Sequence, residues 1–194
     1  MSAPQETLID RSDMVLVLID FQERLVAAVP ESESALDAAS RLLKGAALVA
    51  APVLVTRQYP RGLGPTEPRL EELLIDLADE GARVTGVDKT DFCCMSEATF
   101  VEALESTGRR QVVIAGLETH ICVTQTALAM AGRGYQVQVV ADACSSRDSQ
   151  AHEIALDRLR ATNVIVTHSE SVLYEAVGKA GTNEFKSLLA IIKG

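Results

Sequence analysis

The strongest constraint on this chain is an alternation along its whole length: apolar runs of four to six residues, each followed by a longer amphipathic stretch. A short apolar run buried on both faces and a segment with one apolar face at helical spacing are the two halves of a β-α unit. Repeated, they build a parallel sheet covered by helices, because parallel neighbours need a crossover long enough to hold a helix. The pattern predicts strands at residues 14–19, 52–56, 83–87, 112–115, 137–141 and 164–167. Helices are expected at about 33–51, 69–80, 96–107, 121–131, 148–161, 169–179 and 183–193. The result is an α/β fold of three layers, a doubly wound sheet of six mainly parallel strands in the order 3-2-1-4-5-6 with helices on both faces.

Local signals agree with this division. Asp148 and Ser169 are residue types that cap helix starts, and Gly108, Gly132 and Gly134 fall where helices should stop. One irregular segment is long for a connection: residues 57–68 hold three prolines and two glycines. Tyr59 and Leu63 within it favour a covering lid over a plain solvent-exposed connector.

A length of 194 residues suits a single domain spanning 1–194, with 1–12 expected as a flexible N-terminal tail. No apolar run approaches the length of a membrane span, and the N-terminus lacks the basic-then-apolar order of a signal peptide, so a cytoplasmic protein without membrane contact is expected. The net charge of −9, with no Lys/Arg run, opposes a phosphate backbone and argues against a nucleic-acid partner. Cys93, Cys94, Cys122 and Cys144 show neither a disulfide framework nor zinc spacing, so free thiols are expected. His152 and His168 likewise share no spacing that suggests metal ligation, and no cofactor motif appears.

In open α/β sheets ligands bind at the carboxyl ends of the strands. Three reactive residues fall there: Asp20 after the first strand, Lys89 after the third, and Cys122 a short bend beyond the fourth. With the first and fourth strands adjacent, Asp20 and Cys122 face each other, and the long stem of Lys89 reaches in from the side. Taken singly, each has a duller explanation: Asp20 caps the next helix, Lys89 is a solvated charge, Cys122 is a small core residue. Together they suit a nucleophilic thiol, with the first turn of a helix and a nearby ammonium both favouring thiolate. Gln22, Tyr59, Phe92 and His120 are candidates for lining a small-molecule substrate site, although core packing is the preferred reading for each aromatic. His120 reads as a pocket wall, because two residues across a tight bend its ring and the thiol should diverge. Cys144 is expected to pack, and Arg147 to pair with an anionic substrate or with Asp148.

The segments Leu16-Val-Leu-Ile-Asp20-Phe-Gln22, Lys89-Thr-Asp-Phe92, Gly116-Leu-Glu-Thr-His-Ile-Cys122 and Gly134-Tyr-Gln-Val-Gln-Val-Val-Ala-Asp142 resemble the isochorismatase-like cysteine hydrolases, which include nicotinamidases and N-carbamoyl amidohydrolases. The resemblance implies an Asp–Lys–Cys triad at Asp20, Lys89 and Cys122. It also implies a non-proline cis peptide at Leu117–Glu118 and an oxyanion hole formed by the backbone N–H groups of Glu118 and Cys122. It further implies cleavage of a C–N bond in a small amide or carbamoyl compound through a thioester, without a cofactor. Nicotinamidases carry an Asp-x-His metal motif after the second strand, where this chain has Thr56-Arg-Gln-Tyr-Pro-Arg-Gly62, so no metal is expected. Vinyl-ether hydrolysis of the isochorismatase type, which does not require the cysteine, and non-catalytic ligand binding are the alternatives. A homo-oligomer is expected for such a fold, and the apolar segment 187–192 can serve either as an interface or as core.

Overall fold

The computed structural model, which describes residues 8–193, contains one six-stranded sheet in the order β3-β2-β1-β4-β5-β6. Its strands are β1 (Met14–Ile19), β2 (Val53–Gln58), β3 (Val84–Lys89), β4 (Gln111–Leu117), β5 (Gln136–Ser145) and β6 (Val164–Thr167). Every neighbouring pair is parallel, as the alternation predicted. The central strands β1 and β4 are buried at every position, whereas the edge strands β3 and β6 are partly exposed. A continuous apolar run therefore marks a strand covered on both faces.

Successive strand side chains point to opposite faces, so β1 feeds two cores. Met14, Leu16 and Leu18 pack with α2 (Ser32–Leu48), α4 (Pro68–Asp79), α8 (Ser169–Val177) and α9 (Asn183–Lys193). Val15, Val17 and Ile19 pack with α5 (Ala98–Ser106), α6 (Thr124–Gly132) and α7 (Ser149–Arg160). Helix α2 shows why one chain segment becomes one cover. Its buried residues Ala35, Leu36, Ala39, Leu42, Leu43 and Ala46 recur at three- and four-residue spacing, forming a single apolar stripe.

Several expectations are corrected. Residues 8–12 are not a free tail: the Ile9 N–H donates to Glu175, the Asp10 N–H to Gln111, and Arg11 makes a two-pronged pair with Glu184. The earlier part of the expected tail lies outside the described residues. Helix α1 (Glu23–Ala28) was not foreseen, since six residues are too few to display a helical period. His168, not Ser169, caps α8, accepting the Glu170 N–H, while the Ser169 hydroxyl donates to Asp142. For the segment 187–192, open between interface and core, Leu188 is fully buried and Ile192 lies against the same core. Strand β5 runs past its expected end through an irregularity in its pairing with β4, placing Cys144 opposite Gly116.

Gly116 fixes the spacing of the sheet centre beneath the strand ends. A Cβ built there would lie 2.6 Å from both the Cβ and the carbonyl oxygen of Ile19, its partner across the ladder. That obstacle includes backbone, which cannot swing aside as a flexible side chain would. Gly116→Ala is expected to destabilise the fold by about 2–3 kcal/mol, within the overpacking range, in urea-unfolding measurements. An unchanged midpoint would show that β1 and β4 can separate at no cost.

Candidate active site

The carboxyl ends of β1, β2 and β3 deliver a polar cluster into an otherwise apolar interior. Asp20 follows β1 with a left-handed backbone (φ 55°), a conformation that Asp tolerates better than most residues. Its N–H bonds to the Thr56 carbonyl of β2, and its carboxylate accepts the Thr56 hydroxyl at 2.7 Å. Lys89, the last residue of β3 rather than the first beyond it, donates to Asp20 Oδ2 at 2.6 Å, Gln58 Oε1 at 2.7 Å and the Asp91 carbonyl at 3.3 Å. Both side chains of the ion pair are fully buried. Burial works to discharge Lys89, but the Asp20 charge, with the Cys94 and Cys122 sulfurs, outweighs it and raises the ammonium above the ordinary lysine range.

Cys122 comes from β4. After that strand the Leu117–Glu118 peptide is cis, and residues Thr119–Val123 form one wide π-type turn that runs directly into α6. The thiol is 5% exposed and lies within the influence of the Asp20 carboxylate. The expected thiolate is corrected at this point. Burial first, and the Asp20 charge second, push the thiol well above the ordinary cysteine range, with Lys89 opposing them only in part. Both influences favour the neutral thiol over the thiolate.

The other candidates separate clearly. Gln22 is fully buried and its amide is spent on backbone: Nε2 donates to the Gln58 and Gly64 carbonyls, and Oε1 accepts the Gln58 N–H. It staples the 57–68 segment to the end of β1 instead of facing a substrate. That segment is also less irregular than expected, because β2 extends to Gln58 and a short helix, α3, spans Pro60–Leu63. Tyr59 and Phe92 are 54% and 55% exposed, so core packing is corrected for both. Tyr59, itself at φ 38°, lines a cleft of about 460 Å³ with Pro60, Arg61, Asp88, Lys89 and Glu97. Cys122 is not among the lining residues of that cleft. His120 turns to the Ser146 hydroxyl, 3.0 Å from its Nδ1, consistent with a ring that diverges from the thiol. Arg147 faces Glu118 rather than Asp148, and Cys144 is buried.

Thr56 and Gln58 were missed, although their place at the end of the strand beside β1 is itself a signal. Cys94, read as an ordinary thiol, is buried near Lys89 and is pushed up to about 11 by burial. Among the described residues no group of His, Cys, Asp and Glu is arranged to hold a metal ion, and no helix is long and apolar enough to cross a membrane. At the position of the nicotinamidase metal motif, Gln58 is instead taken up by Lys89 and Thr90.

The two buried charges act on the sulfur in opposite directions. Asp20→Asn should lower the pH midpoint of Cys122 alkylation by iodoacetamide, and Lys89→Met should raise it, as followed by peptide mass spectrometry. Shifts of the opposite sign would show that neither charge governs the thiol.

Residues 14–171 match the model of the isochorismatase domain. An isochorismatase domain-containing protein 1 from Salmo salar is 40% identical over 179 residues, covering 92% of this chain and 60% of the relative. The chain therefore spans about three fifths of the length of that relative. Among solved structures, the MAR1 ribonuclease from Caenorhabditis elegans superposes with a TM-score of 0.87 at 30% identity, covering 96% of this chain and 93% of that one. The YcaC gene product from Escherichia coli, described as an octameric hydrolase of unknown specificity, gives 0.85 at 23% identity, covering 98% and 91%.

Proposed function

The chain belongs to the isochorismatase family, and on that footing we propose that it is a cysteine hydrolase cleaving the C–N bond of a small amide or carbamoyl compound through a thioester at Cys122. The family supports a hydrolase. The observation that carries the finer reading is the buried Lys89–Asp20 pair, 2.6 Å apart, whose charges both act on the nearly buried Cys122 thiol.

A neutral thiol attacks carbonyls poorly, so its proton must leave as the sulfur–carbon bond forms. Asp20 accepts that proton and returns it to the nitrogen as the C–N bond breaks, which frees an amine or ammonia and leaves the acyl group on sulfur. Water then adds to the thioester, giving its proton to Asp20, and the acid leaves as the thiol is restored. Lys89 stays an ammonium throughout, offsetting the charge that passes between Asp20 and sulfur. The backbone N–H groups of Glu118 and Cys122 serve the oxyanion, a role worth about 3 kcal/mol at each tetrahedral step. Tyr59 and Arg61 at the cleft mouth, with Phe92 and His120, are the side chains that would meet the substrate, and Gln22 holds the wall behind them.

The proposal excludes a nucleic-acid substrate, because a net charge of −9 repels phosphate. It includes self-association in the cytoplasm, for which the octameric description of the E. coli protein offers support.

Cys122→Ala should lower turnover of the responsive amide or carbamoyl compound by at least about 10⁴-fold while leaving the unfolding midpoint unchanged. An acyl adduct on Cys122 should appear in the mass of the rapidly quenched wild-type protein. Undiminished hydrolysis by the variant, or isochorismate turned over equally by both proteins, would overturn the thioester route.

A further inference from the structure

Three consecutive residues leading to Cys122, Glu118 to His120, are tied by their side chains to the segment joining β5 to α7 and to the first turn of α7 itself. The Glu118 carboxylate accepts the Arg147 N–H at 2.8 Å through one oxygen and faces the Arg147 guanidinium at 3.7 Å through the other. Thr119 Oγ1 lies 2.8 Å from His152 Nδ1, and His120 Nδ1 lies 3.0 Å from Ser146 Oγ. From the other side, the Thr124 hydroxyl closes on the Thr119 carbonyl at 2.6 Å. The turn depends on such ties because a single π-type turn has a wider, less regular backbone ladder than an α-helix.

Of the three ties, the one through Thr119 lies at the start of the turn, where Thr119 is fully buried. A buried hydroxyl that loses its partner bears the cost of desolvation with no bond to offset it. Its partner enters from the first turn of α7, whose start is fixed by the Asp148 carboxylate accepting the Gln150 N–H at 2.9 Å. His152 also walls a cavity of about 250 Å³ with Ser145, Ser146, Arg147 and Glu31. Burial lowers the imidazole below the ordinary histidine range, which favours the neutral ring with one donating and one accepting nitrogen.

We propose that His152 is a positioning residue for the nucleophile: through Thr119 it holds the turn that presents the Cys122 thiol to Asp20. The inference rests on the reading of Cys122 as nucleophile. The His152 ring bonds to the Thr119 hydroxyl, and the proposed effect passes through the backbone of residues 119–122. Misplacement of a reacting group by about 1 Å is enough to slow a step by about a hundredfold, so a modest slackening of the turn is readable in the rate.

The test uses His152→Ala, His152→Asn and Thr119→Val in the full chain, reading kcat and KM separately together with hydrogen exchange in residues 118–124. Asn places an amide atom the same number of bonds from Cα as Nδ1, so it can keep the bond to Thr119 that Ala loses. Thr119→Val removes the bond from the other end with little change in volume, and decides the matter if His152→Ala does not fold. His152→Ala and Thr119→Val should lower kcat by about 10- to 100-fold with little change in KM, and should speed exchange in the turn. His152→Asn should stay within about threefold of wild type in both readouts. Wild-type kcat in His152→Ala, an Asn variant as impaired as the Ala variant, or faster exchange with unchanged turnover would each overturn the positioning role. If the wild-type protein hydrolyses no C–N substrate, the proposed function fails, and exchange alone judges His152: unchanged exchange in His152→Ala refutes the role, and faster exchange absent from His152→Asn supports it.

Discussion

The rest of the structure depends on a charge pair withdrawn from water at the ends of three strands. Burying a carboxylate and an ammonium costs several kcal/mol per ion, and their attraction offsets this only when the remaining donors and acceptors are also satisfied. Here they are: Thr56 serves the second oxygen of Asp20, and Gln58 with the Asp91 carbonyl takes the remaining protons of Lys89. Each partner comes from the carboxyl end of β1, β2 or β3 or from the loop beyond, so the pair exists only when these strands lie side by side in register. Replacing it with well-packed hydrocarbon would suit stability equally well. Its retention makes sense as chemistry, with an acceptor beside a thiol and a cation behind the acceptor.

That arrangement gives the sulfur a conflict. The carboxylate suited to take the thiol proton is also a negative charge that opposes thiolate, and burial adds to the opposition. Lys89 offsets only part of this. The protein therefore resembles a poised proton donor and acceptor more than a stored thiolate, and the proposed reaction draws its nucleophile at the moment of attack. Such a resting state also suits a free cysteine in a buried position, since a neutral thiol resists oxidation and stray alkylation better than a thiolate.

Much of the architecture was legible because β-α alternation and strand-end placement are local signals with long-range consequences. The order of the strands and the convergence of Asp20 with Lys89 followed from them. What escaped had physical reasons. Gln22 looked like a binding amide because an amide's partners cannot be known until the chain that supplies them, Gln58 and Gly64, is folded against it. Tyr59 and Phe92 were candidates for lining the site with core packing the preferred reading, yet both leave more than half of their area uncovered, which no local pattern of residues reveals. The charge state of Cys122 was misjudged because position at a helix start is visible in a sequence, whereas depth of burial and the direction of a neighbouring carboxylate are not. The role of His152 was invisible for the same reason: it and Thr119 are 33 residues apart and meet only through the packing of α7 on the turn.

Gly116 has a wider consequence. Because β1 and β4 approach so closely at Gly116, the strand ends that carry Asp20 and lead into the Cys122 turn start from a fixed separation in the rigid middle of the molecule. Under the proposed function, the groups that would choose a substrate sit elsewhere, on the α3 segment and beside Glu97. On that reading machinery and selectivity are mounted on separate parts, and an engineer could rebuild the doorway residue by residue to admit new guests without disturbing the hearth.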